Sequence, residues 1–577
     1  MQSRFSLTMS KGKEWVRGSE FVQIRPDKHL PHRFSLRCCF STSAFRFSLL
    51  SSLPSTNRNN AMTNPQATMR MLITYVISIA AAIFVGYLLT NPLDYGTLGF
   101  LGLILLVIIS PVFIKWHYPI MIFGLGCPMV CFFLVGSPPL AQVVVLMSLG
   151  IAIVERAINS DQRFISAPVM VWPLLFIAGM ALVTAKLTGG VGLHALGGGT
   201  GGGKKYIALF VGVATFFALT SHRIPRSKWK WYLALYLLSS LLGVVSDFFP
   251  FLPSPLNVIN LLFPPNQNFD EGVVVGTTRL RAFAFAFGVI PIYLLARYGL
   301  QGIFGTGKLW RPVVFVTFAA LSLLGGFRIT VIGLGMICFL MFFLEGLHRT
   351  RLMPLLVMAG VLGGLMLAVF SNKLPYTFQR SLSFLPFKWK SEVVLDAQGS
   401  SEWRYNIWRA TWPKVPEYLL LGKGYALSEE DYQNIGAGTF VNFSASHIDA
   451  SEEALAISGD YHSGPLSTLM PFGIWGAIGI LWLMAATVFV LYRNYRYGDP
   501  ELHIFNTFLL ASGTSSIIFF FFIFGAFQND VGNFAKLAGF SLAMNWGVAK
   551  RPARATSNPM IKPLSPLPAP QMTRGMS

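Results

Sequence analysis

The stretch 312–346, PVVFVTFAALSLLGGFRITVIGLGMICFLMFFLEG, decides the fold class of this chain. It is apolar almost throughout and is interrupted only at Gly325-Gly326-Phe327-Arg328. A helix needs about 20 apolar residues to cross the hydrocarbon core of a bilayer. The stretch therefore predicts two neighbouring membrane-spanning helices, 312–326 and 329–346, joined by a tight turn that carries an arginine.

The composition extends this prediction to most of the chain. Of its 577 residues, 53% are hydrophobic and 12% are charged, whereas soluble domains carry about 25% charged residues. The formal charge of +21 suits basic cytoplasmic loops, and it also suits an anionic lipid or phosphate substrate. Nucleic-acid binding is disfavoured, because the basic residues stand between apolar spans. The five cysteines include none in the long hydrophilic loops, so neither a disulfide framework nor a CxxC metal site is supported.

Residues 1–61 differ from the rest, because they are rich in Arg, Ser and Phe and poor in acids. They resemble a transit peptide, or the translation of sequence upstream of a true start at Met62 or Met69, and the second interpretation is preferred. We exclude them from the fold as a non-native or disordered extension. The basic, Pro-rich residues 549–577 are predicted to form a disordered cytoplasmic tail.

From Arg70 onward the sequence predicts an all-α, polytopic transmembrane helical bundle of about 12–14 spans. Residues 62–371 form the main helical region, 372–465 a large non-cytoplasmic loop between two late spans, and 466–548 the C-terminal helices. The fourteen candidate spans are 71–90, 97–114, 118–135, 140–155, 167–185, 205–220, 231–249, 282–297, 312–326, 329–346, 354–371, 466–492, 504–525 and 533–548.

The positive-inside rule gives the orientation. With both termini in the cytoplasm, the basic clusters fall in cytoplasmic loops, and the short outer turns near Asp94, Pro138 and Asp530 carry no Lys or Arg. This leaves three long outer segments, 186–204, 250–281 and 372–465. The last has about ninety residues, which is too long for a plain connection, and its tryptophans favour an ordered structure. The cytoplasmic clusters include Lys115, Arg156, Arg163, Arg223, Arg226, Lys228, Lys230, Arg297, Lys308, Arg311, Arg349, Arg351, Arg493, Arg496 and Lys550.

Several outer residues could carry chemistry. A charge at membrane depth is expensive and is usually paired or functional, which draws attention to Arg328, although it could instead extend to the surface. Arg279 and Arg281 precede a span on the same side, and with Arg328 and Arg404 they could form a basic pocket. Guanidinium groups suit phosphate oxygens. His462 stands just before an apolar span, where a neutral imidazole could act as a general base.

Residues 401–412, SEWRYNIWRATW, predict a short helix that Ser400 or Ser401 caps and that Pro413 ends. Arg404, Trp408 and Trp412 share one face of it. A structural helix at the membrane surface with a solvated Arg404 is the alternative. Gly422-Lys423-Gly424 could approach a phosphate, but a simple turn is the default, and the acidic residues 425–460 show no EF-hand spacing.

The order of these parts resembles the O-antigen ligase and polymerase family over about 275–480. The resemblance rests on Arg404-x-x-x-Trp408, then Gly422-x-Gly424, then His462 before Phe472-Gly473-Ile474-Trp475-Gly476, with Arg328 and Arg279 matching upstream motifs. The chain departs from the family pattern at Phe327 and Ile329, which flank Arg328 where Ser and Gly are usual. It also departs at Ser463, which replaces Asn, and at Ala282, which replaces Gly.

The resemblance implies a glycosyltransferase of polysaccharide biosynthesis at the outer face of a bacterial inner membrane. The donor would be a glycan on undecaprenyl diphosphate, and the acceptor would be lipid A–core, a second glycan or a protein. His462 and Arg404 would be catalytic, with His462 positioning or deprotonating the acceptor hydroxyl. Arg279, Arg281 and Arg328 would bind the diphosphate. The resemblance further implies inversion at the sugar, no metal and no cofactor.

Two other function classes remain open from the sequence. A transporter or flippase of a lipid-linked polysaccharide would also need many helices and inward-facing arginines. Such proteins more often show internal repeats and charges at mid-membrane, whereas here no repeat is evident and the charges gather at one side. A structural membrane scaffold would leave the order of the arginine and histidine motifs unexplained.

Overall fold

The computed structural model describes residues 65–88, 95–159, 161, 163–190, 202–248, 253, 256, 259–264, 280–305, 307–427, 459 and 461–551. Within these ranges the protein is built of helices joined by turns, and Val130 and Pro139 form an isolated β-bridge. The predicted all-α fold class is therefore confirmed. The chain divides into two compact units, Met1–Gly99 and Phe100–Ser577.

Long apolar runs produce long helices, because a helix satisfies every backbone hydrogen bond within one segment. The helices are α1 (Pro65–Leu88), α2 (Tyr95–Gly126), α3 (Leu140–Ile158), α4 (Pro168–Thr188), α5 (Gly203–Thr220), α6 (Trp229–Leu238), α7 (Val244–Asp247), α8 (Ile259–Leu262), α9 (Arg281–Phe304), α10 (Trp310–Leu321), α11 (Arg328–Leu344), α12 (Leu352–Phe370), α13 (Tyr376–Leu382), α14 (Ser391–Thr411), α15 (Val415–Tyr418), α16 (Gly464–Tyr497), α17 (His503–Phe522) and α18 (Phe527–Asn545).

Among the described residues, eight helical segments are long and apolar enough to cross a membrane, judged by length and composition. Trp310–Gly325 and Arg328–Leu344 are shorter apolar helices, and they correspond to the two spans predicted from the opening stretch. The helix Leu352–Lys373 buries none of its apolar window inside the protein. Its exposed Leu, Met and Val side chains are those of a helix that faces lipid.

The prediction of two spans at 97–114 and 118–135 is wrong. The structure has one helix there, α2, with 32 residues and a length of about 48 Å, which exceeds the hydrocarbon core of about 30 Å. The predicted loop at Lys115 is helical, because the neighbouring His117 is buried and its Nδ1 lies 2.8 Å from the Ser148 hydroxyl on α3. A polar side chain with such a hydrogen-bond partner can be buried within a helix and does not require a turn exposed to water.

From α3 onward, the helices correspond to the predicted spans. The predicted alternation of their crossing directions is therefore unchanged. The cytoplasmic position of the tail beyond Lys550 stays a prediction. The side of the membrane on which the N-terminus lies depends on the region before α3, where the predicted span count was wrong.

Glycine allows a close contact between two core helices, α5 and α18. A Cβ atom on Gly212 of α5 would lie 3.0 Å from the Cα of Gly532 on α18. Small residues at such positions let helix backbones approach and pack. Around this pair, α5 and α18 bury large side chains, including Phe216, Phe527 and Phe534, and they form the rigid centre on which α16 packs.

Gly473 breaks α16 with a positive φ of 58°, where α16 meets the segment after α15. The N–H of Ile474 donates to the carbonyl of Leu419 over 2.7 Å. A Cβ on Gly473 would lie 2.3 Å from the same Leu419 oxygen. We expect Gly473→Ala to lower the free energy of unfolding by about 1–3 kcal/mol, from left-handed strain and this clash.

The measurement for Gly473→Ala is the thermal unfolding midpoint of the purified protein in detergent. Gly364→Ala is the matched control, because Gly364 lies within a helix with nothing within 4 Å of its would-be Cβ, and it should leave the midpoint unchanged or slightly raised. Equal midpoints for the two variants would show that the break in α16 is not required.

Candidate functional site

The turn between α10 and α11 is the starting point of the site. Gly326 adopts a left-handed conformation with φ 69°, and Phe327 is extended, so that Arg328 becomes the first residue of α11. Helix α13 packs on this turn. Arg380 on α13 donates from Nη1 to the Gly326 carbonyl over 2.7 Å, and the Ser381 hydroxyl donates to the Leu323 carbonyl over 3.1 Å.

Helix α14 supports Arg328 from the other side. The guanidinium donates to the Ala397 carbonyl over 3.2 Å and to the Ser401 hydroxyl over 3.3 Å. Ser401 in turn donates to the carbonyl of Ala397, one turn earlier in the same helix. Arg328 is therefore fixed between the interhelical turn and a helix of the large loop.

Three arginines meet at this place. Arg328, Arg380 and Arg404 are close enough for their charges to repel one another. Asp396 pairs with the Nε of Arg380 and accepts a hydrogen bond of 2.7 Å from the Tyr376 hydroxyl. We call Arg328, Arg380 and Arg404 the arginine cluster.

Arg404 is the member of the arginine cluster with unused donor capacity. Its Nε is buried and makes no hydrogen bond among the described residues. Burial, and then the charge of Arg380, lower the pKa of the Arg404 guanidinium. Both effects oppose the cation, so an anion that accepts from this group would be stabilised strongly. Guanidinium forks match the oxygen geometry of phosphate groups.

His462 contacts the same helix, α14, through Trp403. Its ring packs edge-on against Trp403, with centroids 4.9 Å apart, and against Phe524 at 5.1 Å. Trp403 directly precedes Arg404 on α14. His462 also has a positive φ of 49°, a conformation that is uncommon outside glycine and often marks a functional position.

Trp408 holds the histidine segment against α14. Its indole N–H donates to the carbonyl of Tyr461 over 2.9 Å, and Tyr461 packs with Ile407 and Met470 in a small apolar cluster. Burial raises the pKa of Tyr461 to about 12, so this phenol stays neutral at physiological pH. The shared face of Arg404 and Trp408 is thus a docking face for the residues around His462, whereas Trp412 is 56% exposed.

An apolar cavity opens beside the arginine cluster. It has a volume of 660 Å³ and is lined by α9 and α11 residues that include Phe285, Val289 and Leu334, with Arg281 among them. The guanidinium of Arg281 lies 5.4 Å from the ring centroid of Phe327, which directly precedes Arg328. A ligand with a charged group at the arginines could extend an apolar chain into this cavity.

The structure brings most of the predicted site residues together. Arg328 contacts α14, which carries Arg404 and contacts His462 through Trp403, and Arg281 lies beside the turn. Arg279 and the acidic residues between 428 and 458 lie outside the described residues. The predicted helix 401–412 is longer than expected, since α14 begins at Ser391 with Lys390 as its cap. Ser401 therefore lies inside the helix and does not cap it, while the predicted end at Pro413 is correct.

Two site residues, Arg380 and Asp396, were not predicted from the sequence. Both lie in the large loop, where an arginine and an aspartate separated by sixteen positions look like ordinary solvated charges. The sequence contained only a weak indication of their role. An acid and a base of the loop could form an ion pair, and that pair could face Arg328 at the predicted tight turn.

Gly422-Lys423-Gly424 forms a structural turn, as the default interpretation held. The N–H groups of Lys423 and Gly424 donate to the carbonyls of Met470 and Pro471, over 2.7 and 3.0 Å. A Cβ on Gly422 would lie 2.1 Å from the Pro471 oxygen. These amides support the break in α16, so the segment holds that helix in place and does not present its amides to a phosphate.

Comparison with known proteins adds an independent finding. Residues 313–481 match the family described as O-Antigen ligase, and a search of curated proteins gave no significant match. The matched segment contains the arginine cluster, Asp396 and His462, and it begins after Arg281. The candidate site thus lies inside the segment that is similar to the O-antigen ligase family.

Proposed function

We propose that this protein transfers or polymerises a glycan from an undecaprenyl-diphosphate donor to a sugar hydroxyl at the outer face of the inner membrane. The similarity of residues 313–481 to the O-antigen ligase family supports this proposal. The observation that carries the finer proposal is the arginine cluster, with its buried, unused Nε of Arg404, one residue away from the tryptophan that contacts His462.

The cluster suits a diphosphate leaving group. In the proposed reaction the acceptor oxygen attacks the anomeric carbon of the donor, and the bond from that carbon to the diphosphate oxygen breaks with its electron pair. The negative charge that develops on the diphosphate is met by Arg404 and by Arg328, which its hydrogen bonds to α14 orient before the reaction. Fixed guanidinium groups supply charge without the cost of reorganising water.

His462 is assigned to the acceptor. As the new glycosidic bond forms, the acceptor hydroxyl loses its proton, and a neutral imidazole can take it. The edge-on contacts of His462 with Trp403 and Phe524 restrict the ring to one orientation. Trp403 and Arg404 are consecutive on α14. The same helix would therefore position His462 and the diphosphate group relative to each other.

The lipid part of the donor is assigned to the apolar cavity. A polyprenyl chain needs an apolar surface, such as the α9 and α11 residues of the cavity provide, and Arg281 at that cavity would contact the headgroup. Adjacent parts of one site would thus bind the diphosphate and the polyprenyl chain of the donor. The large loop 372–465 would lie outside the membrane, with α13 and α14 covering the head of the lipid.

The test is a gene-deletion glycan profile, with surface polysaccharide and undecaprenyl-linked glycan measured together. Long lipid-linked chains without mature surface polymer would identify a ligase, and single repeat units on the lipid or the core would identify a polymerase. If the deletion left both pools unchanged, the transferase proposal would fail. Accumulation of the donor on the cytoplasmic side alone would instead indicate the transporter alternative.

Arg380 is proposed as a positioning residue, because its contacts run to the Gly326 carbonyl and to Asp396. We expect Arg380→Ala to lower transfer about 10- to 100-fold, as disordering of a supporting side chain commonly does in fixed sites. Arg380→Lys should recover little, since one ammonium cannot hold both partners in the planar geometry. The measurement is donor turnover in membranes that contain equal amounts of protein.

A structural loss and a positioning loss are distinguishable for Arg380. The Asp396→Asn variant should reproduce part of the Arg380→Ala defect, while both variants keep the unfolding midpoint within a few degrees of wild type. Full activity of Arg380→Ala would remove this residue from the site.

A further inference from the structure

A second cluster of chemistry-bearing residues lies away from the arginine cluster, on α2, α3 and the segment after α5. The Nε2 of His117 lies 3.5 Å from Oε1 of Glu155, and the Nε2 of His222 lies 3.4 Å from Oε2 of the same carboxylate. One ligand atom from each of the three residues can be chosen so that all lie within 4.8 Å of one another.

These separations fit a metal ion. Zinc binds histidine nitrogen and carboxylate oxygen at about 2.0–2.2 Å, so two ligand atoms of a tetrahedral ion lie roughly 3.3–3.6 Å apart. The two histidine-to-carboxylate distances, each to a different oxygen of Glu155, fall in this range. Two histidines and one carboxylate are a common zinc ligand set that leaves a fourth position for water.

Each histidine has a partner that can set its orientation. His117 Nδ1 lies 2.8 Å from the Ser148 hydroxyl, and His222 Nδ1 lies 2.9 Å from the Ser221 hydroxyl. A proton on Nδ1 that is donated to the hydroxyl leaves the lone pair on Nε2, which faces Glu155. Metal-binding histidines are usually oriented by a hydrogen bond at the other ring nitrogen in this way.

One oxygen of the Glu155 carboxylate lacks a hydrogen-bond donor among the described residues. Oε2 of Glu155 is buried and accepts no hydrogen bond from the described residues, although His222 Nε2 lies 3.4 Å away. A buried carboxylate oxygen is normally hydrogen-bonded, paired with a cation or bound to a metal.

We propose that His117, Glu155 and His222 bind a zinc-type divalent transition-metal ion. The ion would join α2, α3 and the segment that follows α5 at one end of the bundle. The basic residues nearby in sequence, Arg156 and Arg223, predict that this end is cytoplasmic. Its role would be structural, since it ties together three elements that do not contribute to the arginine cluster.

The sequence alone could not indicate this site. Its ligands stand at positions 117, 155 and 222, with none of the short spacings that mark zinc motifs, and the resemblance to the O-antigen ligase family implied no metal. The wrong division of α2 into two spans also placed His117 next to a cytoplasmic loop and not on the buried face of a helix.

The test uses the full chain, purified in detergent without a polyhistidine tag, stripped with a chelator and titrated with zinc or cobalt. We expect one equivalent of zinc and, with cobalt, the intense visible absorption of a four-coordinate ion. Glu155→Gln and His222→Ala should each weaken binding at least about 100-fold, whereas His503→Ala, which removes an exposed histidine elsewhere, should bind like wild type.

A stability readout protects this test against a folding defect. Zinc should raise the thermal midpoint of wild type and of His503→Ala, and it should leave that of Glu155→Gln unchanged. The proposal is overturned if wild type binds less than half an equivalent, if cobalt gives only the weak spectrum of a six-coordinate ion, or if Glu155→Gln binds as tightly as wild type.

Discussion

Replacement of His462 by alanine is expected to reduce glycan transfer by about 10²- to 10⁴-fold, the range for loss of a general base. The protein should still reach the membrane, because His462 contributes two ring contacts at the edge of the bundle and not a core side chain. The measurement is transfer per unit of full-length protein in membranes of a deletion strain that expresses the variant.

His503→Ala is the control for the His462 variant, since it removes a histidine that stacks on Tyr495 far along the chain from the arginine cluster. It should keep wild-type transfer. A His462→Ala variant that also kept wild-type transfer would remove the base from the proposed mechanism and leave the arginines without a partner for the acceptor.

Arg404→Ala is expected to lower transfer by about 10²- to 10³-fold, as removal of one group that stabilises developing negative charge commonly does. Arg404 has a buried Nε that makes no hydrogen bond to the described residues, and it lies beside Trp403, so its loss affects both the charge and the alignment of the site. Arg328→Ala should cause a similar loss, because it removes the cluster member that is fixed by α14.

The control for Arg404 lies on the same helix. Arg409 is exposed, so Arg409→Ala removes one positive charge from α14 without removing a member of the arginine cluster. It should retain transfer within a factor of about two, if bulk charge is not what matters. If Arg404→Ala and Arg409→Ala behaved alike, the interfacial-helix interpretation of α14 would be preferred.

The helices were largely predictable, and the reason is physical. A bilayer imposes a length of about 20 apolar residues on each helix, so the spans 312–326 and 329–346 could be assigned from hydropathy alone. The exception is α2, where a lysine and a histidine in an apolar stretch suggested a turn. Hydropathy cannot show that His117 has a buried partner on α3, and without that partner the helix would have ended there.

The candidate site was predictable only in part. Arg328 was identifiable because a charge is costly within an apolar run, and His462 because it stands at the edge of one. Arg380 and Asp396 lie in a polar loop, where charges are common and their sequence positions do not reveal a pairing. The zinc-type cluster was beyond sequence reasoning, since it forms only when α2, α3 and the end of α5 pack together.

The central claim is that the arginine cluster and His462 transfer a glycan from a lipid diphosphate. The most direct measurement is the release of undecaprenyl diphosphate from its glycan conjugate by the purified full-length protein in proteoliposomes, with and without acceptor membranes. We expect release that depends on the acceptor. We expect His462→Ala and Arg404→Ala each to abolish this release. Release equal to wild type in both variants, or movement of intact donor across the bilayer without release, would contradict the central claim.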